Sequence, residues 1–339
     1  MKKFLMYLTL ILIIGVVGGF LYSNYLLNEK ISSANPLKVI IPKGSGTKKI
    51  SKILTQSIDA NPTWLYELYL KYSSFVDKKF LKAGVYLFPT GITKIEIINA
   101  LFEGKYLYTA RVTFPEGISY KDFASILQKK VLVDSAKFVK LCESQEVLDK
   151  YNIPSKNVDG YLLPETYEFY MESPAEEVIS KLLDFHKRMF DRIQSLSSNT
   201  ESLSKHEALT LASIVEAETP EESERARVAG LYLNRIKKNM LLQADPTVSY
   251  ALGGKQRLLY EDLKIDNPYN TYKYSGFPPG PINNPGAKSI KAALNHEKHD
   301  YIYMVLIGND SKKHNFSENY KLHTQYVNEY RKRIKQNNN

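Results

Sequence analysis

The densest group of residues able to do chemistry lies in Ala208-Leu209-Thr210-Leu211-Ala212-Ser213-Ile214-Val215-Glu216-Ala217-Glu218-Thr219-Pro220. Ala208, Leu211, Ala212 and Val215 recur at helical spacing as a buried stripe, and Pro220 stops the helix. At about 100° per residue, Glu216 projects between Ala212 and Leu209 inside the apolar arc, and Glu218 lies within its other edge. Two carboxylates therefore sit at the semi-buried end of one helix. Desolvation and the negative end of the helix dipole both favour their protonated form. A general acid for glycosidic cleavage needs such a raised pKa. The plainer alternative is a helix end whose glutamates reach water or pair with Arg225 or Arg227, because Glu is almost never fully buried unless paired. Helix geometry does not separate the two glutamates.

Other constellations are weaker. His296-Glu297-Lys298-His299 spaces its histidines one residue too close for a zinc-protease helix. Gly253-Gly254-Lys255 lacks the frame of a phosphate loop, and Ser213 has no nucleophile elbow around it. Cys142 is the single cysteine, which excludes an intrachain disulfide and a Cys-based metal cluster. No metal is expected. The chain has 25 Tyr, 14 Phe and 1 Trp, with many Tyr in loop-like stretches, and aromatic faces with polar partners suit sugar rings as well as ordinary half-buried packing.

The elements that must position these residues can be read in outline. Pro42-Lys43-Gly44, Pro89-Thr90-Gly91 and Pro115-Glu116-Gly117 each follow a β-rich apolar run and precede a helical pattern. Each copy reads strand, turn, helix, with Thr93 and Ser119 placed to cap the helices that follow. From about Ser173 onward the pattern turns mainly helical, broken by a Ser-rich segment from Ser195 to Ser204 and a Pro-rich one from Asp266 to Gly286. Pro268, Pro278, Pro279, Pro281 and Pro285 forbid helix and central strand in the latter, while Tyr269, Tyr272, Tyr274 and Phe277 argue for an ordered loop. Arg331 to Asn339 reads as a basic, frayed tail.

With 339 residues, 43% hydrophobic and 24% charged, the chain suits about two globular domains and excludes a disordered or collagen-like polymer. The net charge of +10 favours anionic partners without choosing among nucleic acid, acidic lipid and cell-wall polymer. Basic residues are scattered among acids with no recognition-helix pattern, so no nucleic-acid partner is expected. Between Lys3 and Glu29 no residue carries a charge, a stretch long enough to span a membrane and too long for the apolar region of a cleaved signal. Lys2 and Lys3 place the N-terminus in the cytoplasm by the positive-inside rule, leaving the remainder outside.

Ordered strings then link the chain to a known family. These are Leu211 to Thr219, Asn234-Arg235, Leu242-Gln243-Ala244-Asp245-Pro246-Thr247-Val248, Asn267-Pro268-Tyr269-Asn270-Thr271-Tyr272, Gly276 to Ile282 and Asn284-Pro285-Gly286, with Lys82 to Tyr86 and Asp159 to Tyr167 as further matches. On them the chain resembles the YceG-like (MltG) family of endolytic murein transglycosylases. The resemblance implies an α+β fold divided into a membrane anchor over 1–30, a LysM-like peptidoglycan-recognition subdomain over 31–108, a mainly helical or mixed catalytic domain over 109–330 and a basic tail over 331–339. It implies cleavage of the MurNAc-β-1,4-GlcNAc bond of nascent glycan strands as a lyase, leaving 1,6-anhydro-MurNAc ends without a cofactor. The implied setting is a single-pass inner-membrane protein with a periplasmic catalytic part beside peptidoglycan synthases. By the family motif the catalytic residue falls on Glu216, with Glu218 as second choice. Glu218, Gln243, Asp245, Tyr269, Asn270 and Thr271 are the implied substrate-binding set. The family's C-terminal histidine strings depart from pattern at Lys312-Lys313-His314 and Leu322-His323-Thr324, which leaves no assigned role for His314 or His323. The rival reading is a non-catalytic, membrane-anchored peptidoglycan-binding scaffold. A basic polyanion binder with salt-dependent binding is a third.

Overall fold

The computed structural model describes residues 2–76, 80–197, 203–254, 257–308 and 311–337. Residues 198–202 of the Ser-rich break, Lys255 of the Gly-Gly-Lys string and residues 338 and 339 of the tail lie outside them. The fold is mixed α+β in two compact units, one formed by residues 1–110 with 168–173 and the other by 111–167 with 174–339.

The first unit starts with α1 (Lys2–Asn28), which contains one stretch long and apolar enough to cross a membrane, Lys3–Asn28, with mean hydropathy 2.5. The helix end is not a free tether. Leu27 is buried in the core of this unit, Tyr66 Oη donates to the Leu26 carbonyl at 3.3 Å, and Lys94 Nζ meets Glu29 at 2.5 Å. β1 (Leu37–Ile41) and β2 (Gly84–Phe88) pair antiparallel from Leu37 opposite Phe88 to Ile41 opposite Gly84. Between them run α2 (Thr47–Ile58) and α3 (Thr63–Val76), and α4 (Lys94–Glu103) follows β2. Ile50, Leu54, Tyr66, Leu70, Tyr86, Phe88, Ile97 and Leu101 fill the core, each inward-facing at its own helix or strand period.

All three Pro-x-Gly copies are strand–turn–helix joints. Gly44, Gly91 and Gly117 sit at φ +74°, +74° and +78°, a conformation that disfavours any side chain with a Cβ. Thr93 and Ser119 cap α4 and α5 (Tyr120–Val131) through reciprocal capping boxes with Glu96 and Asp122. The unit boundary passes through a two-stranded ribbon of β3 (Thr109–Thr113) and β4 (Thr166–Tyr170).

The second unit continues with α5, α6 (Ser135–Cys142), α7 (Gln145–Lys150), α8 (Ala175–Ser195), α9 (Lys205–Glu218), α10 (Glu222–Lys237), α11 (Asp245–Ala251) and α12 (Ala287–Leu294). α9 is its axis. Every residue from Ala208 to Val215 is buried, so the apolar stripe read from sequence is part of a helix enclosed on all sides. The two polar residues on it are satisfied within the helix, Thr210 donating to His206 O and Ser213 to Thr210 O, each at 2.8 Å.

The C-terminal part is mainly helical, as read from the sequence, with an antiparallel hairpin of β5 (Tyr303–Gly308) and β6 (Ser311–Ser317) that the sequence reading did not place. One sequence expectation needs correction. The basic tail is not frayed from Arg331, because α13 (Tyr320–Asn337) continues through it and Arg333 donates to the Ile307 carbonyl of β5 at 2.9 Å. A partner surface supplied by the hairpin stabilises a helix whose composition alone gives little support.

Candidate active site

Glu216 and Glu218 end the same helix, but the second unit gives them opposite surroundings. Glu216 is clamped. Arg225 from α10 approaches it with both terminal nitrogens, Nη2 to Oε1 at 3.0 Å and Nη1 to Oε2 at 3.3 Å, and Gly286 N–H donates to Oε2 at 3.0 Å. Both side chains of this pair are only 7% exposed. Glu116, from the third Pro-x-Gly turn, lies 3.6 Å from Arg225, and its carboxyl is raised by burial and by the Glu216 charge. The pairing of a helix-end glutamate with Arg225 is thus realised at Glu216, whereas Arg227 pairs with Glu297 at 3.1 Å.

Glu218 turns into a cavity of about 200 Å³ lined also by Tyr232, Arg235, Gln243, Asp245, Tyr272 and Met304. Burial pushes its carboxyl up to about 7, with a further upward push from the Asp245 charge. The Tyr232 hydroxyl, donating to Oε1 at 2.8 Å, and the Arg235 charge act in the opposite direction without cancelling it. Arg235 is held in place by the Ile302 and Leu242 carbonyls at 2.7 and 2.5 Å. Asp245 accepts from Tyr272 Oη at 2.5 Å. Such a group can hold and release a proton near neutrality in a partly dry pocket.

The remaining residues singled out in the sequence divide. Gln243 lies at φ +49°, a left-handed backbone held by its N–H on the Thr271 carbonyl at 3.0 Å. Thr271 is buried behind the cavity wall, where its Oγ1 accepts from Ala244 N–H at 3.0 Å and meets Thr247 Oγ1 at 2.9 Å. Asn270 is fully buried and ties the loop by donating to Leu263 O and Ile265 O at 2.9 and 2.8 Å. Tyr269 packs against Tyr250, ring centroids 4.8 Å apart, and is absent from the lining of the Glu218 cavity. Gln243, Asp245 and Glu218 therefore come together, Thr271 and Asn270 support them from behind, and Tyr269 stands apart.

Sequence reasoning missed Tyr232, Arg235 and Tyr272 as neighbours of the acid, although Asn234-Arg235 and the final Tyr of the Asn-Pro-Tyr string were in view. It also missed the brace beneath them. Asn284 Oδ1 accepts from Gly160 and Leu162 N–H at 2.8 and 3.1 Å, and its Nδ2 donates to Ile118 O and to Asp159 Oδ1. Asp159 is buried, and burial pushes its carboxyl up to about 6 against three donors. The His296–His299 string serves as a joint, with His299 Nε2 at 2.9 Å from the Arg227 carbonyl. His314 meets Glu224 at 2.9 Å, fixing β6 to α10.

Residues 39–329 match the YceG-like family. The chain belongs to that family. The endolytic murein transglycosylase of Bacillus subtilis (strain 168) is 33% identical over 315 residues, covering 88% of this chain and 86% of the relative. The endolytic murein transglycosylase of Streptococcus pneumoniae strain R6 is 28% identical over 341 residues, and the match covers 89% of this chain but 60% of that longer relative. The crystal structure of a yceG-like protein from Listeria monocytogenes superposes with a TM-score of 0.59 at 32% identity, covering 88% of this chain and 99% of the other. In this YceG-like chain the family-like strings at 211–219, 242–248 and 267–272 supply the Glu218 cavity and its backing, while 284–286 brace Glu216.

Proposed function

We infer that this chain is an endolytic murein transglycosylase, a lyase that cuts within peptidoglycan glycan strands between MurNAc and GlcNAc and leaves 1,6-anhydro-MurNAc ends. One observation carries the site assignment: the carboxyl of Glu218 lines a cavity with Gln243 and Asp245 and is pushed up to about 7. We therefore assign the acid role to Glu218 and a positioning role to Glu216, reversing the order that the family motif suggested. The support is geometric. Both oxygens of Glu216 are already occupied by Arg225 and the Gly286 N–H, whereas Glu218 borders open space.

In the first step the Glu218 carboxyl donates its proton to the glycosidic oxygen as the bond to the muramyl C1 breaks, releasing the GlcNAc hydroxyl. In the second, the Glu218 carboxylate takes the proton of the muramyl 6-hydroxyl as that oxygen bonds to C1. The acid returns to its starting form and no water is consumed. Tyr232 and Arg235 stabilise the carboxylate between the steps, and Gln243 and Asp245 offer polar atoms for orienting sugar or N-acetyl groups.

The first unit we read as a LysM-like recognition module within residues 31–108. Trp64, Tyr72 and Phe75 are exposed on α3 and offer ring faces on which sugar C–H faces stack. We read α1 as an uncleaved anchor in an inner membrane with its N-terminus cytoplasmic and the enzyme periplasmic, supported by its length and by Lys2 and Lys3 at its N-terminal end. Proximity to peptidoglycan synthases rests on the family resemblance alone.

The test is mass spectrometry of products from uncrosslinked glycan strands incubated with full-length protein in detergent, comparing the parent with Glu218→Gln and Glu216→Gln. Internal anhydro ends that disappear with Glu218→Gln and persist at a reduced level with Glu216→Gln are the expected result. Persistence in Glu218→Gln returns the acid role to Glu216. Reducing ends in place of anhydro ends mean a hydrolase, and no new ends from folded parent protein mean a binding scaffold.

A further inference from the structure

The cavity at Glu218 is too small for a polymer. Its volume of about 200 Å³ falls below the roughly 300–1,000 Å³ of sites that enclose a ligand, and cutting inside a strand requires sugars on both sides of the broken bond. A second concavity of about 870 Å³ lies in the same unit. Ala217 and Pro246 line it, while their immediate chain neighbours Glu218 and Asp245 line the acid cavity. Two pairs of adjacent residues thus form a ridge with the acid on one side and the larger concavity on the other.

We propose that this larger concavity is a subsite for the sugars flanking the scissile bond, taking the neutral N-acetylglucosamine units of the glycan strand and not the stem peptide; the proposal rests on the transglycosylase reading above. Charge decides the ligand class. A stem peptide brings carboxylates, but Lys121 is the one basic residue among the described lining residues, and Asp122 and Asp159 are acidic. Asp122 is engaged as the partner of the Ser119 cap, and Asp159 is buried among donors from Tyr120, Asn284 and Tyr250. What remains is suited to a neutral polar ring. Tyr250 contributes an aromatic side chain. Asn283, only 7% exposed, donates through Nδ2 to Ser213 O at 2.8 Å and leaves Oδ1 without a partner. A lining residue whose buried Oδ1 lacks a donor matches the amide N–H and hydroxyl groups of N-acetyl sugars.

The experiment is calorimetric titration of full-length Glu218→Gln protein in detergent with neutral N-acetylglucosamine oligomers and, in parallel, with peptide-bearing glycan strands, so that binding is read without cleavage. Ala251→Phe, at the end of α11, and Ala217→Phe, at the exposed last turn of α9, each fill the concavity from a different wall, so a folding failure in one leaves the other as the test. Each is expected to weaken binding by about tenfold or more, while Lys121→Glu changes it by less than about twofold. Binding within about twofold of the parent in a folded filled variant overturns the proposal. So does a Lys121→Glu loss seen only with peptide-bearing strands, which assigns the concavity to the peptide. Failure of the parent protein to release anhydro ends overturns the transglycosylase reading, and the binding comparison remains readable in that case.

Discussion

At the scale of single residues, the second unit turns two similar glutamates into different chemical groups. With its carboxyl pushed up to about 7, Glu218 is protonated over most of the acidic range and loses its proton as pH rises through about 7. The rate of anhydro-end formation should therefore fall on the alkaline side of about 7, with the limb placed by this residue. Asp245→Asn removes a charge that raises Glu218 and should move that limb to lower pH, while Tyr232→Phe removes a lowering hydrogen bond and should move it to higher pH. Opposite displacements in the pH profiles of kcat/KM check the assignment, and an unmoved limb in both rejects it. Stability follows the same linkage. Because the folded protein holds the Glu218 proton more tightly than the unfolded chain, stability falls as pH rises from the ordinary carboxyl range through about 7. Glu218→Gln should thus raise Tm by a few degrees at about pH 8 and leave it nearly unchanged at about pH 4. Glu216→Gln should act the other way, costing on the order of 3 kcal/mol because it leaves Arg225 buried against a weakened partner. Thermal unfolding of the two variants side by side distinguishes them.

At the scale of elements, the site depends on loops locked by close approach. The Pro-rich loop over 266–286, which follows a short 3-10 helix at Asp262–Lys264, reaches α12 without regular structure, and its order comes from the brace of Asn284 to the third Pro-x-Gly turn and to Gly160. Gly160 lies at φ +84°, and a Cβ there would come within 2.3 Å of the Pro281 ring, which cannot swing away. Gly160→Ala should cost about 1–3 kcal/mol in thermal unfolding and lower activity, through both strain and displacement of the loop. Gly286→Ala is expected to be milder, since its Cβ would overlap the Glu116 side chain from Cγ to the carboxyl, a partly exposed chain with rotatable bonds. The three turns, their caps and α9 were readable because Pro, Gly, Ser and Thr act on their own few residues. The β5–β6 hairpin and the helical course of 331–337 were not, because each is stabilised by the other across the fold.

At the scale of the whole molecule, the anchor and the first unit are continuous. Leu27 belongs to the unit's core and Glu29 pairs with Lys94, so a truncation that removes residues 1–30 cuts into the folded module. A chain beginning at Ile31 should lose about 2 kcal/mol of stability in the first unit relative to one beginning at Asn24, mostly from the lost burial of Leu27. Thermal unfolding of the two truncations measures the difference. The amino-acid order was sufficient for what depends on short stretches of chain: an uncharged run that suits a membrane, strand–turn–helix joints, and a helix that ends in two carboxylates at the edge of an apolar arc. It could not choose between those carboxylates. Their surroundings come from positions 116, 225 and 286 for Glu216 and from 232, 235, 243, 245 and 272 for Glu218, and burial, charge and hydrogen bonding from such distant segments exist once the chain has folded.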